Sequence, residues 1–465
     1  MEPVVLTRAT TRPLPGSRGL LPWRAALDQP RSLASWVLAH GLQKALIERN
    51  ARTGDLISRL VSDPALRADP FGAYEELRSR GRITANRYVS GSVDHAVCNE
   101  VLRSDAFGVA GTDGQLPAPV QWLLQRTRDD DTLGPIDRPS MLAVDPPQHT
   151  RYRQQVARAF TARKVGRLSD RVGEVADGLL DDIERRAALG PREDDGLGFD
   201  LITEYAGRLP VTVIADLLGV PEADRDRLLV LGNEAAVTLD PGLTLAEFRR
   251  AERALRELHT WFRGHVERLR ADPGDDLLSQ LVKVEGPDRL DPVELHQVGL
   301  LVLAAGFETT VNLIGNAVAL LDAHPDQRER LLAEPDLWPN AVDEVLRLQA
   351  PVQLTMRIAQ RTTEVAGRRF ARGHGVLLYL AGANRDPQVF EDPARFDVAR
   401  PNADQHLSFS AGVHFCLGSS LARLEAAVAL RRLYERHPDL RLAGPGRRRP
   451  TRVLRGFEHL PVTTG

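Results

Sequence analysis

Apolar residues recur at helical spacing along most of the chain. The pattern predicts helices over residues 74–80, 94–104, 148–160, 165–186, 204–218, 246–270, 291–323 and 339–348. Short runs with strand character fall at 82–88, 357–365 and 375–380, and Pro- and Gly-rich connections separate the elements. Segment 291–323 has the sharpest limits. Asp291-Pro292-Val293-Glu294 is a capping-box sequence with Pro at the first helical position, and His324-Pro325 stops the pattern. At about 1.5 Å per residue this helix runs roughly 48 Å, enough to cross a whole domain. Most of its faces are apolar, so it must be buried. A bilayer would satisfy that demand too, but Glu308, Asn312 and Asn316 lie inside the segment, and ionisable groups at mid-bilayer are expensive. A core helix is therefore expected, with no stable membrane span. The pattern as a whole predicts a mainly α fold with small β-sheets (α+β). Residues 1–60 read as a partly helical N-terminal extension and 61–465 as one domain.

Composition changes this picture little. The chain is 42% hydrophobic and 27% charged, ordinary for a soluble globular protein. A net charge of −2 gives no bulk electrostatic case for nucleic acid or an anionic membrane. The N-terminus carries Arg8, Arg12, Arg18 and Arg24 but no apolar signal core; an Arg-rich transit peptide stays open as a second reading. Residues 33–47 read as an amphipathic helix too short and polar to span a bilayer. Two cysteines far apart, Cys98 and Cys416, suit a reducing compartment, so a cytoplasmic location is expected. Cys98 falls in a helical stretch and reads as packing.

Cys416 is different. It stands in Phe409-Ser410-Ala411-Gly412-Val413-His414-Phe415-Cys416-Leu417-Gly418, ahead of a helical pattern over 417–433. A thiolate needs a lowered pKa, which a metal, backbone N–H donors or a helix N-terminus supplies. Gly412 and Gly418 let the backbone bend and approach a flat ligand. The string resembles the Phe-x-x-Gly-x-His-x-Cys-x-Gly loop of cytochrome P-450 enzymes. That resemblance implies a P-450 fold with haem b between the long helix and this loop, and Cys416 as the axial ligand of its iron.

Other segments carry the same resemblance in the family's order, over roughly 70–460. Ala305-Gly306-Phe307-Glu308-Thr309-Thr310 resembles the oxygen-activating segment, with Phe307 where many bacterial members have His. It implies Glu308 and Thr309 as a proton relay, with small Ala305 and Gly306 letting the helix press on the macrocycle. Glu344-Val345-Leu346-Arg347 and Arg395 match a buried ionic network behind the haem. His149, Arg153, Arg357 and His414 match contacts to its propionates, which require cations or donors at a buried edge. Phe409 and Gly418 complete the cofactor contacts.

The resemblance implies a monooxygenase: one atom of O2 enters a small organic substrate by hydroxylation or epoxidation, and the other leaves as water. A peroxygenase or oxidative-coupling enzyme is the alternative, with a non-catalytic haem sensor behind it. No flavin or ferredoxin module is recognisable, so electrons are expected from a separate ferredoxin- or flavodoxin-type donor with its reductase. It would dock on the cysteine side, including Arg423, onto a monomer. The pocket is expected from loops 109–140 and 238–245 and from Trp122, Leu301, Val302, Ala305, Val352, Leu354 and Phe457. The apolar positions among these favour a sizeable, largely apolar molecule with some polar groups, such as a macrolide, terpenoid, steroid or peptide-derived secondary metabolite.

Overall fold

The computed structural model describes residues 32–109, 130–189, 197–286 and 289–464. Its axis is the helix Pro292–Ala323. Asp291 caps it as the sequence predicts. Its carboxylate accepts from Val293 N (2.8 Å) and Glu294 N (2.9 Å), and Glu294 accepts in return from Asp291 N (3.0 Å). Glu294 also accepts from the Tyr152 hydroxyl (2.8 Å), which fixes the helix start against Gln148–Ala157. By length and composition this helix could cross a membrane, but 76% of its most apolar window is buried inside the protein. It is a core helix, because Arg208–Leu217, Leu245–Ala271, Trp338–Leu348 and Ser419–Arg436 pack around it. Leu303, Val311, Leu313, Ile314, Ala317 and Val318 anchor the resulting apolar cluster.

The β structure is small and lies to one side, as expected. Five short strands form one sheet in the order Thr84–Ala85, Val89–Ser92, Gly375–Leu378, Thr355–Ala359 and Phe107–Gly108. The pair Val89–Ser92 and Gly375–Leu378 is parallel, and the rest is antiparallel. The register that sets Arg357 opposite Val376 decides which face that arginine takes. Strands of two or three residues at 198–200 and 441–463 escaped the sequence reading, since alternation cannot show over so short a run. The helix Glu222–Ala236 was missed as well. It buries only Leu228, Leu231, Gly232 and Ala235, a narrow stripe that carries little periodic signal.

A boundary at residue 60 would cut a buried cluster. Leu56, Ile57 and Leu60 pack with Tyr74, Leu77, Val93 and Tyr379. Asp55 caps Leu56–Ser62 by accepting from Ser58 N, so the packed unit begins there. The preceding helical segment is tied on by Trp36, whose indole N–H donates to Leu243 O (2.8 Å).

Candidate active site

The cysteine loop is shaped by its glycines and by one strained residue. Ser410 (φ 63°) and Gly412 (φ 69°) are left-handed. A Cβ on Gly412 would stand 2.4 Å from Leu102 O, so no other residue fits there. Cys416 N donates to Phe409 O (2.9 Å), closing the loop. The helix starts at Ser419, two residues later than expected, with Gly418 as its cap. A Cβ on Gly418 would meet nothing within 4 Å, so here the glycine leaves an open approach beside the sulfur. Phe409 is buried under the Arg423 guanidinium, 4.7 Å from its centroid.

Burial pushes the Cys416 thiol up, while the Gly418 N–H and the charges of Arg153 and Arg423 work against that. Coordination to a metal removes such a proton outright. Cys98 has no such surroundings. It is fully buried, points its thiol at Ser92 O (3.6 Å), and is pushed far up by desolvation, as a packing residue should be. Among the described residues no cluster of three or more His, Cys, Asp or Glu can hold a bare metal ion. Cys416 therefore offers a single ligand, which suits an iron whose other ligands come from a macrocycle.

The residues expected at that macrocycle's acidic edge fit it. His149 is 2% exposed, and its ring lies 4.2 Å from that of His414. The His414 Nε2 atom is buried without a hydrogen bond, 3.5 Å from Asp145. Desolvation first, then His414 and Arg153, lower His149 to about 4, so it stays neutral at pH 7. Arg357 is 4% exposed and bonds Thr355 Oγ1 (3.0 Å), Met356 O (2.9 Å) and Ser410 Oγ (3.4 Å). None of these is a carboxylate, and desolvation lowers it to about 10. Arg153 is half-buried beside Cys416 and likewise desolvated. A buried and a half-buried guanidinium with no carboxylate partner among the described residues are costly unless anions face them, and two propionates supply those anions.

Across from the loop, the central helix opens at one point. Ala305 is exposed and Thr309 half-buried, between buried Leu303 and Val311. Thr309 Oγ1 donates back to Ala305 O (3.1 Å) and Thr310 Oγ1 to Gly306 O (3.2 Å), so the helix here is regular; the Thr309 hydroxyl keeps its acceptor lone pairs, while that of Thr310 also meets the buried Glu425 carboxyl. Gly306 corrects the reading that both small residues serve the macrocycle. Its Cβ position points at Ile214, 3.2 Å away, so its size serves helix packing, and Ala305 alone is the small residue on the open face. Glu308 is 3% exposed with Oε2 unpartnered, and burial lifts its carboxyl to about 7 against the opposing charge of Arg449. One turn on, both amide atoms of Asn312 are also buried without partners.

The ionic network departs from the sequence reading at one residue. Glu344 and Arg347 are fully buried and bidentate, at 2.6 and 2.8 Å. The third member is Arg400, whose Nε reaches Glu344 Oε1 (3.1 Å). Arg395 instead has a 61% exposed side chain paired with Asp397 (3.4 Å). Its backbone carbonyl faces inward and accepts from Arg347 (3.1 Å) and Arg400 (2.9 Å), which turns its side chain out. Arg423, expected on the docking surface, turns in to Asp343 (2.6 Å).

The pocket expectations divide. Trp122 and most of loop 109–140 lie outside the described residues. Leu301 and Val302 are buried in the main cluster. Val352 bridges to Leu454. Leu354 packs on the cluster of Leu56, Tyr74 and Tyr379. Phe457 sits against Gly315 and under Arg448, so it is not beside Ala305, ten residues and about 15 Å back along the helix.

Comparison with known proteins agrees with this geometry. The family model "Cytochrome P450" matches residues 236–437. A "Putative cytochrome P450 140" of Mycobacterium tuberculosis is 47% identical over 92% of this chain and 97% of its own length. The 6-deoxyerythronolide B hydroxylase of Saccharopolyspora erythraea is 42% identical over 70% of this chain and 77% of its own. The ligand-free crystal structure of Mycobacterium smegmatis CYP164A2 superposes with a TM-score of 0.76 at 35% identity, covering 88% and 99% of the two chains. With Cys416, the two arginines and two imidazoles around it and the opened helix in place, the chain belongs to the cytochrome P450 family as a bacterial-type, haem-thiolate monooxygenase.

Proposed function

We propose that this enzyme, carrying haem b, inserts one atom of O2 into a sizeable, largely apolar organic molecule of secondary metabolism. The haem supplies the one-electron and dioxygen chemistry when bound. This chain's own residues position and protonate. Cys416 holds the metal, His149, Arg153, Arg357 and His414 hold the acidic edge, and Ala305 leaves room for a small reactant. The observation that carries the reading is Glu308. A buried carboxyl held near 7 takes and gives a proton at neutral pH, and the unpartnered atoms of Glu308 and Asn312 suit ordered water leading to it. Thr309 Oγ1 can accept from such a water while donating to Ala305 O. The Saccharopolyspora relative, by its name a 6-deoxyerythronolide B hydroxylase, supports the substrate class.

Thr309→Ala should leave reduction intact but divert electrons from product, lowering product per NADPH by about tenfold or more. Product and NADPH measured together check it, and unchanged coupling removes Thr309 from the relay. Glu308 also predicts a pH effect on stability. Its folded pKa, about 7, lies above the ordinary 4.5, so the folded state holds the extra proton and loses stability as pH rises between those values. Relative to Glu308→Gln, the wild type should therefore become progressively less stable from about pH 4.5 to 7, with a constant difference above. Melting temperatures across that range test this, and a flat difference contradicts it.

Electrons would come from a separate ferredoxin- or flavodoxin-type protein with its reductase, in the cytoplasm, meeting a monomer. Arg158, Arg163, Lys164 and Arg167 line an exposed basic groove, and the helix carrying three of them, Ala162–Gly166 and its cap, packs on the helix after the cysteine. An acidic donor suits that face. Lys164→Glu with Arg167→Glu should slow reduction by about tenfold or more at low salt. An unchanged, salt-independent rate would move the docking face elsewhere.

A further inference from the structure

A second cavity, of about 200 Å³, lies between residues 60–74 and the turn 448–456. Five arginines line it, Arg67, Arg448, Arg449, Arg452 and Arg455, and no Asp or Glu does. Part of this charge is structural. Arg452 approaches Asp240 (3.9 Å), whose carboxylate also accepts from Arg452 N and Val453 N. Arg455 donates to Arg67 O (3.0 Å) and Ala68 O (2.8 Å), at the C-terminus of Pro64–Ala68. Arg448 lies over the Phe457 ring at 4.2 Å. Packing therefore explains these three.

It does not explain the rest. Arg67 donates through Nη1 to Pro450 O (3.1 Å), and among the described residues neither Arg67 nor Arg449 has a carboxylate within 4 Å. The Nε of Arg449 is buried without a hydrogen-bond partner. Arg67 Nε is buried and unpartnered too, and so is the hydroxyl of Tyr379, a residue fully withdrawn from solvent. All three line this one cavity. Buried donors without acceptors cost free energy, and convergent guanidiniums add mutual repulsion. An oxyanion relieves both, since guanidinium forks match carboxylate and phosphate. The remaining wall is apolar, with Leu60, Leu66, Leu354 and Leu454. The site thus suits an acidic group attached to a hydrocarbon. Gly456, which lines the cavity, packs directly on Asn312 of the central helix, one turn beyond Glu308, so the cavity reaches that helix.

We propose that this cavity is an oxyanion subsite that takes the carboxylate or phosphate of an organic-acid substrate. This rests on the monooxygenase reading and narrows its substrate to molecules with one anionic end. The test is equilibrium dialysis of the holoenzyme with dodecanoate, its methyl ester, dodecyl phosphate and inorganic phosphate. It is repeated on Arg449→Gln and Arg67→Gln, with Arg372→Gln as an exposed control. The acid or the alkyl phosphate should bind, with the tighter of the two naming the head group. Arg449→Gln and Arg67→Gln should each weaken that binding by about tenfold, leaving the methyl ester unchanged and the control like wild type. Equal binding of acid and ester, no effect of either variant, or retention of inorganic phosphate alone would overturn the proposal. The reduced carbon-monoxide spectrum of the same preparation reports the haem-thiolate reading separately, so either can fail without the other.

Discussion

Cys416→Ser is expected to fold, to lose the red-shifted band of the reduced carbon-monoxide complex that a thiolate ligand produces, and to lose turnover by more than about 100-fold. The fold should survive because the loop is closed by backbone groups. Cys416 N donates to Phe409 O, Gly412 turns under Leu102, and Arg423 clamps Phe409 from outside. None of these uses the sulfur. A serine hydroxyl occupies less volume in the same half-buried position but binds iron weakly and donates little electron density. The electronic role therefore disappears while the scaffold remains. Circular dichroism unchanged from wild type, with the carbon-monoxide band shifted to that of a nitrogen- or oxygen-ligated haem, is the expected pair of results. A variant that kept the thiolate band would remove Cys416 from the iron, and the unpartnered guanidiniums around it would then lack an explanation.

How much of this was legible before the structure depends on the kind of signal. The central helix was readable to within a residue at both ends, because its start is a local chemical device, the Asp291–Glu294 box, and its stop is a proline. The cysteine loop was readable because left-handed backbone, close approach and a ligand all demand specific residue types over ten positions. Contacts set by direction were not readable. Gly306 looks identical in sequence whether it faces a macrocycle or Ile214, and only the rotation of the helix decides. Phe457 is apolar at a position where the turn directs it to Gly315 and under Arg448. The arginine cavity joins Arg67 to Arg449 across nearly four hundred residues, and no local pattern announces such a meeting. Choosing between Arg395 and Arg400 fails for the same reason. Both lie in one irregular loop, and which of them turns inward depends on the backbone carbonyl of residue 395.

That choice yields the second large effect. Arg400→Leu is expected to destabilise the protein by about 3–5 kcal/mol, while Arg395→Leu should fall within about 0.5 kcal/mol of wild type. Glu344 is fully buried, and its Oε1 accepts from Arg347, Arg400 and Asp397 N. Removing Arg400 leaves that carboxylate with one cation in a site closed to water. It also frees the carbonyl of Glu391, now bonded at 2.7 Å, and takes from the Arg395 carbonyl the nearer of its two donors (2.9 Å). Removing the Arg395 side chain breaks only an exposed pair with Asp397, worth little in solvent, and leaves the carbonyl that the network uses. Glu344→Gln should cost as much as Arg400→Leu, because two buried guanidiniums then lose their anion. If the three groups act as one unit, Glu344→Gln combined with Arg400→Leu will cost clearly less than the sum of the two single changes. Denaturant unfolding of all four variants gives the comparison. Equal losses for Arg395→Leu and Arg400→Leu, or full additivity in the double variant, would show that the buried network is not what holds this loop behind the cysteine.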